Sequence, residues 1–208
     1  MTDVQKPKDA RKDGDPPLFL ALLGYPSLAE SAPRKFHLLL PDTQAERIDS
    51  RVAGARNTAF IVLLQAGLDL LKRRAEMVGS PLFVDADKEI EASGYGLNPD
   101  LSDRMAEYLA APLKTPLPPV PCLSVEGRMG SLSRRPFALL LPRKLADDID
   151  KTTRGPRNSV FVVLLSIGFE VYRRRALLEK IVPIVTVREF FNAQGYNKGE
   201  KDDKRGFS

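Results

Sequence analysis

The sequence predicts a mainly α protein in which two internal repeats of one chain pair as a pseudo-dimer around a short two-stranded antiparallel β-ribbon. Three observations carry this. Residues 34–78 and 135–179 align without a gap, with 20 of 45 positions identical, which marks an internal duplication. Each copy opens with one short strand and continues with helices, so each lacks a strand partner and leaves backbone groups unpaired on its own. The second helix of each copy is too apolar to stand alone in water. Pairing the copies removes both deficits.

The elements follow in order. Residues 1–17 are polar and rich in Lys, Asp and Pro, the composition of a disordered tail. Leu18–Tyr25 is a short apolar stretch that reads as a strand or turn packed on the domain, or as a docking segment. In the first copy, Lys35–Leu40 alternates and ends at Pro41, with Phe36, Leu38 and Leu40 on one face and Lys35, His37 and Leu39 on the other. Asp42 or Thr43 is placed to cap a helix carrying Ala45, Ile48 and Val52 at helical spacing, and Gly54 ends it. Arg56-Asn57-Thr58 opens a second helix to about Met77, with Asn57 or Thr58 as its cap. Its stripe is Phe60, Leu63, Leu64, Gly67, Leu68 and Leu71. Lys72, Arg73 and Arg74 sit in its last turns, where the helix dipole favours cations. Gly67 and its counterpart Gly168 imply a close helix–helix approach, because a mid-helix Gly otherwise costs about 1 kcal/mol against Ala.

After the first copy, Pro81-Leu82-Phe83 reads as extended, and Asp85–Ala92 as a short helix ending at Gly94-Tyr95. Pro183-Ile184-Val185, Val187–Ala193 and Gly195-Tyr196 repeat this coda. Between the copies, Asp100–Ala110 suits an amphipathic helix, and Pro112–Pro121 holds five prolines in ten residues, so it reads as an extended spacer. The expected organisation is a tail at 1–33, the first repeat with its coda at 34–96, a linker at 97–133, the second repeat with its coda at 134–196 and a disordered tail at 197–208.

Composition narrows the function. A net charge of +5 and a pI near 9.3 permit an acidic partner such as nucleic acid. The single cysteine, Cys122, suits a reducing cytoplasm, and no apolar run approaches the roughly 18 residues of a membrane span. The early apolar run is too short for a signal peptide of the usual build. There is no phosphate-binding Gly loop and no nucleophile motif, and the one His and one Cys are far apart, so neither an enzyme, a metal site nor a cofactor is expected.

A short strand ending in Pro, a helix, a Gly and then Arg-Asn-Thr/Ser opening an apolar helix resembles the ribbon-helix-helix DNA-binding proteins. The resemblance covers both repeats but not the termini, codas or linker. Two copies in one chain are similar in layout to the single-chain members among accessory proteins of conjugative plasmid and T-DNA transfer, the Vir-C-two type. The resemblance implies a monomer acting as a pseudo-dimer on double-stranded DNA, with a relaxase or other transfer proteins as further partners. It implies a ribbon in the major groove reading bases with Lys35, His37 and Leu39 from one strand and Ala138 and Leu140, beside Pro136, from the other. It implies phosphate contacts at the second-helix N-termini by Arg56, Asn57, Thr58, Arg157, Asn158 and Ser159, and beside the strands by Arg34 and Arg135. Arg134, Arg143 and Lys144 add sequence-independent attraction. For Arg173-Arg174-Arg175 the expectation is dipole compensation and a solvated face. Two other functions fit the same features: a transcriptional repressor of the same fold, and an interaction protein that has lost DNA binding. The latter would take its partner through the N-terminal or coda segments. Separately, an alternative to groove entry is that the chain's own N-terminal apolar segment covers the ribbon face, which then does not meet DNA.

Overall fold

The structure, a computed structural model, describes residues 18–24, 33–85, 121–126 and 133–196. In chain order the elements are β1 (Leu20–Leu23), β2 (Arg34–Pro41), α1 (Asp42–Arg51), β3 (Val52–Ala53), α2 (Arg56–Val78) and β4 (Leu82–Asp85). The second half contributes β5 (Leu123–Glu126), β6 (Arg134–Leu141), α3 (Arg143–Thr152), β7 (Thr153–Arg154), α4 (Arg157–Glu179), β8 (Ile184–Thr186) and α5 (Val187–Ala193). The expectations for residues 1–17, for a helix over 85–92 beyond its first residue, for the 100–110 helix, for most of the proline spacer and for the tail fall outside the described residues.

The fold class differs from the one expected. The chain is not a helical pseudo-dimer built around one ribbon: its described residues form three sheets. β2 and β6 make an antiparallel pair, and two three-stranded parallel sheets stand beside it, ordered β3-β1-β8 and β4-β5-β7. The cause is physical. The extra strands are two to four residues long and come from the segments that read as tail, linker, helix end and coda. A strand that short carries no detectable alternation, and its partners are remote in sequence.

The two parallel sheets knit the halves together. β1 pairs with β3 of its own half and with β8 of the other; β5 pairs with β7 of its own half and with β4 of the other. β1 and β5 share one burial alternation, with Leu20, Leu22, Leu123 and Val125 inward. The turns leading from β3 and β7 into α2 and α4 need glycine. Gly54 and Gly155 have φ of 128° and 121°, and a Cβ on Gly155 would lie 2.2 Å from the Val125 carbonyl oxygen.

The long helices α2 and α4 form the centre. α4 is buried nearly all round from Ser159 to Val171, and α2 is comparably enclosed from Thr58 to Leu71, as suits helices covered on several sides. They cross where Gly67 and Gly168 meet the opposite backbone: a Cβ on Gly67 would sit 2.3 Å from the Leu164 oxygen, and one on Gly168 would sit 1.9 Å from the Leu63 oxygen. The expected packing role of both glycines is thus seen directly. The inner face of the ribbon closes over the first turns of these helices. Leu38, Leu40, Leu139 and Leu141 are fully buried. Phe36 meets Phe161 edge-on at 5.3 Å, and Phe137 meets Phe60 at 5.5 Å.

The capping expected at the helix starts is absent. The N-cap positions are Pro41 and Pro142 for α1 and α3, and Ala55 and Pro156 for α2 and α4, and none provides a side-chain cap. The Arg173–Arg174–Arg175 cluster also has a different use. Arg173 and Arg174 both hold the buried carboxylate of Glu170, and only Arg175 makes an outward pair, with Glu179 at 3.0 Å. Lys72 reaches Asp148 on α3 at 3.1 Å rather than serving the end of its own helix.

Candidate nucleic-acid interface

The register of the ribbon sets out the site. His37 pairs with Ala138, Lys35 with Leu140 and Leu39 with Pro136. His37 and Ala138 hold the same place in the two copies, so the pseudo-two-fold axis passes between them. All six of these side chains are exposed, while Phe36, Leu38, Leu40, Phe137, Leu139 and Leu141 point inward. The outward face predicted from alternation is therefore the exposed face. Leu39 and Leu140 stand out on it, at 41% and 38% exposure, values high for leucines in ordered strands.

Asn57 and Asn158 bracket this face in a way the sequence did not indicate. Asn57 accepts from the Leu140 backbone N–H at 2.9 Å and donates to the Leu140 carbonyl at 3.0 Å. Asn158 does the same for Leu39, at 2.8 and 3.0 Å. Each side-chain amide thus acts as one residue of an added strand, satisfying edge groups that would otherwise face solvent. It also fixes the N-terminus of α2 against β6 and that of α4 against β2. Since the N–H of Leu39 goes to Asn158, the Leu39–Pro136 pair is one without ladder bonds, and the missing N–H of Pro136 costs the ribbon nothing.

The remaining predicted phosphate contacts sort into two groups. Thr58 and Ser159 are buried, at 1% and 2% exposure, and are not on the surface where a phosphate would lie. The arginines are on the surface but carry internal partners. Arg56 bonds Asp49 through Nε and Nη2, at 2.9 and 3.0 Å, and its guanidinium stacks 5.2 Å from the Phe137 ring centre. Arg157 repeats this with Asp150 at 2.9 Å and Phe36 at 5.4 Å. Arg34 binds Asp147 and Asp150 of α3, and Arg135 binds Asp42 and Glu46 of α1, so each strand arginine ties the ribbon to the first helix of the other copy. Asp49 and Asp150 were missed, although they stand seven residues before the paired arginines in both copies.

These contacts hold the arginines in place without removing them from solvent: Arg56 and Arg157 keep 53% and 51% of their side-chain surface. Exposed ion pairs of this kind contribute at most about 1 kcal/mol, so a stronger anion can share the guanidinium. The arrangement is a solvent-facing ribbon with an uncapped helix N-terminus at each end and a pre-positioned arginine beside each. Such a ribbon fits the major groove, which is about 12 Å wide. No protein family, curated protein or solved structure matches the chain. Among the described residues no helix is long and apolar enough to cross a membrane.

Proposed function

We propose that this protein binds double-stranded DNA, seating the β2–β6 ribbon in the major groove and setting the N-termini of α2 and α4 against the phosphates on either side. The observation that carries this reading is the exposed, pseudo-symmetric ribbon face flanked by two uncapped helix starts. Lys35 and His37 supply hydrogen bonds to base edges, and Ala138, Leu39 and Leu140 supply apolar contact of the kind a thymine methyl accepts. The unpaired N–H groups of the helix starts, with Nη1 of Arg56 and Arg157, serve the backbone. Asn57 and Asn158 are positioning residues in this scheme, since their amides are taken by the ribbon. The resemblance of the repeats to single-chain proteins of conjugative and T-DNA transfer supports a cytoplasmic accessory role beside a relaxase. The mostly apolar outer face supports that role over a repressor, because it offers few groups for reading bases.

The test is a mobility-shift series with random duplexes at two salt concentrations. Binding should weaken steeply as salt rises, and Arg56→Ala/Arg157→Ala should weaken it further at each salt. Thermal denaturation of the variant controls for lost ion pairs. Unchanged affinity in a folded double variant would remove the assigned clamp. A second reading, a protein-docking face, is favoured by the exposure of Leu39 and Leu140; absence of any shift at low salt would select it.

A further inference from the structure

We infer that the protein grips DNA with a fixed polarity, its two ends holding chemically different half-sites. This rests on the DNA-binding reading above and adds a direction to it. Most of the interface is matched across the pseudo-two-fold axis: Arg34 with Arg135, Glu46 with Asp147, Asp49 with Asp150, and Arg56 with Arg157. These pairs cancel in any comparison of the two ends, so the unmatched positions decide it.

The unmatched positions favour one end, with one exception: Arg134, whose counterpart is Pro33, stands opposite Pro41 at the other end. The register places Lys35 beside Leu140 at the end bracketed by Asn57, and places Leu39 beside Pro136 at the end bracketed by Asn158. One end of the outward face therefore bears Lys35 on its paired strands, whereas the other presents Leu39 and Pro136 and reaches a cation only at Arg134, at the ribbon's edge. The helix following each strand adds to the difference. β6 leaves the Lys35 end into α3, whose first turn starts with Arg143 and Lys144, and Lys144 is anchored there by the Gln194 carbonyl at 2.6 Å. β2 leaves the opposite end into α1, whose first turn starts with Asp42 and Thr43. Three cations at one end thus face one cation, Arg134, together with Pro136, an acid and a hydroxyl at the other.

The Lys35 end takes a half-site with guanine acceptors, because a Lys amine matches O6 and N7. The Leu39–Pro136 end takes one that offers thymine methyls, and His37 lies over the central step. A homodimer of a single repeat would see a palindrome; this chain has no reason to.

The experiment is selection from a random duplex library, followed by affinity measurement. The natural chain should enrich a non-palindromic motif. Lys35→Ala/His37→Ala should relax the Lys35 half and the central step, leave the other half unchanged, and weaken binding to the selected duplex about tenfold. Pro136→Lys/Ala138→His should shift selection towards a palindrome of the Lys35 half-site. All four positions are exposed, so an unchanged thermal transition is the expected folding control. A palindromic motif, no motif while duplex is still retained, or equal relaxation of both halves would overturn the polarity. Failure to retain any duplex at low salt would overturn the DNA-binding reading itself, and this inference with it.

Discussion

Replacing Gly168 by alanine tests the helix crossing on which the whole arrangement is built. In an ordinary mid-helix position Gly→Ala stabilises a protein by about 1 kcal/mol. Here the new Cβ would lie 1.9 Å from the Leu63 carbonyl oxygen, and real Cβ contacts stay above 3.0 Å, so the helices must part by at least 1.1 Å. The obstacle is backbone and cannot rotate away. A gap of that size forfeits a quarter to a half of the dispersion energy of each contact it opens. Those contacts include the fully buried Leu63, Leu64, Leu164 and Leu165. Overpacking of this kind costs about 3 kcal/mol or more, which leaves a net loss of about 2 kcal/mol after the propensity gain. For a protein of this size that lowers Tm by about 4–8 °C. Gly67→Ala, with its contact at 2.3 Å, should cost less. Thermal and urea denaturation followed by circular dichroism give the answer. A Gly168→Ala variant as stable as the natural chain, or more so, would refute the close crossing.

Three further outcomes follow from other contacts. Burial alone would raise the Glu170 carboxyl, but hydrogen bonds and charge from Arg173 and Arg174 hold it below its ordinary 4.5. Its contribution is therefore present at neutral pH and is lost as acid titrates it through the lowered folded-state value. Glu170→Gln should cost roughly 2 kcal/mol at pH 7 in urea denaturation, by loss of charged hydrogen bonds; no cost would contradict the pairing. Asp69 behaves in the opposite way, because burial raises it above 3.8 despite the Gln65 hydrogen bond and the nearby Lys72. Its ionised form is disfavoured by the fold. Asp69→Asn should raise Tm at pH 7, and the gain should vanish below the ordinary carboxylate value; a gain that persists in acid would count against desolvation as the cause. Asn57→Ala leaves the Leu140 edge groups without their partner, so the Leu140 amide should exchange faster with solvent while β6 residues facing β2 keep their protection. Equal exchange in both proteins would show that the amide bracket is unimportant.

The parts legible in the sequence are those with enough residues to carry a period. Lys35–Leu40 and its copy hold three inward and three outward positions each, and their outward set is the exposed set. The two long helices announced themselves by their stripes, and the paired Gly67 and Gly168 pointed to a shared crossing. The parallel sheets did not show, and their strands explain why. β1 and β5 are four residues each, and they are offset from each other by a different interval than the main repeats, so a gapless alignment passes over them. Only a weak common pattern remains, Leu20, Leu22 and Gly24 against Leu123, Val125 and Gly127. β3 and β7 are two residues long and lie at helix ends, where the sequence reads as helix. The candidate site was legible in position but not in bonding. An Asn at a helix start reads as a cap or an anion contact, and nothing local says that its amide will complete the edge of a strand from the other copy. The arginines were likewise found without their acids, because those pairings cross between the copies or between helices.

If the two interlocked repeats present one ribbon face to duplex DNA, as proposed, negative charge on that face should abolish binding. Leu39→Glu, Ala138→Glu and Leu140→Glu place three acids on exposed positions without touching the core. This triple variant should keep its thermal transition and lose the mobility shift expected of the natural chain with duplex DNA at low salt. A folded triple variant that shifts duplex DNA as well as the natural chain does would contradict the proposal.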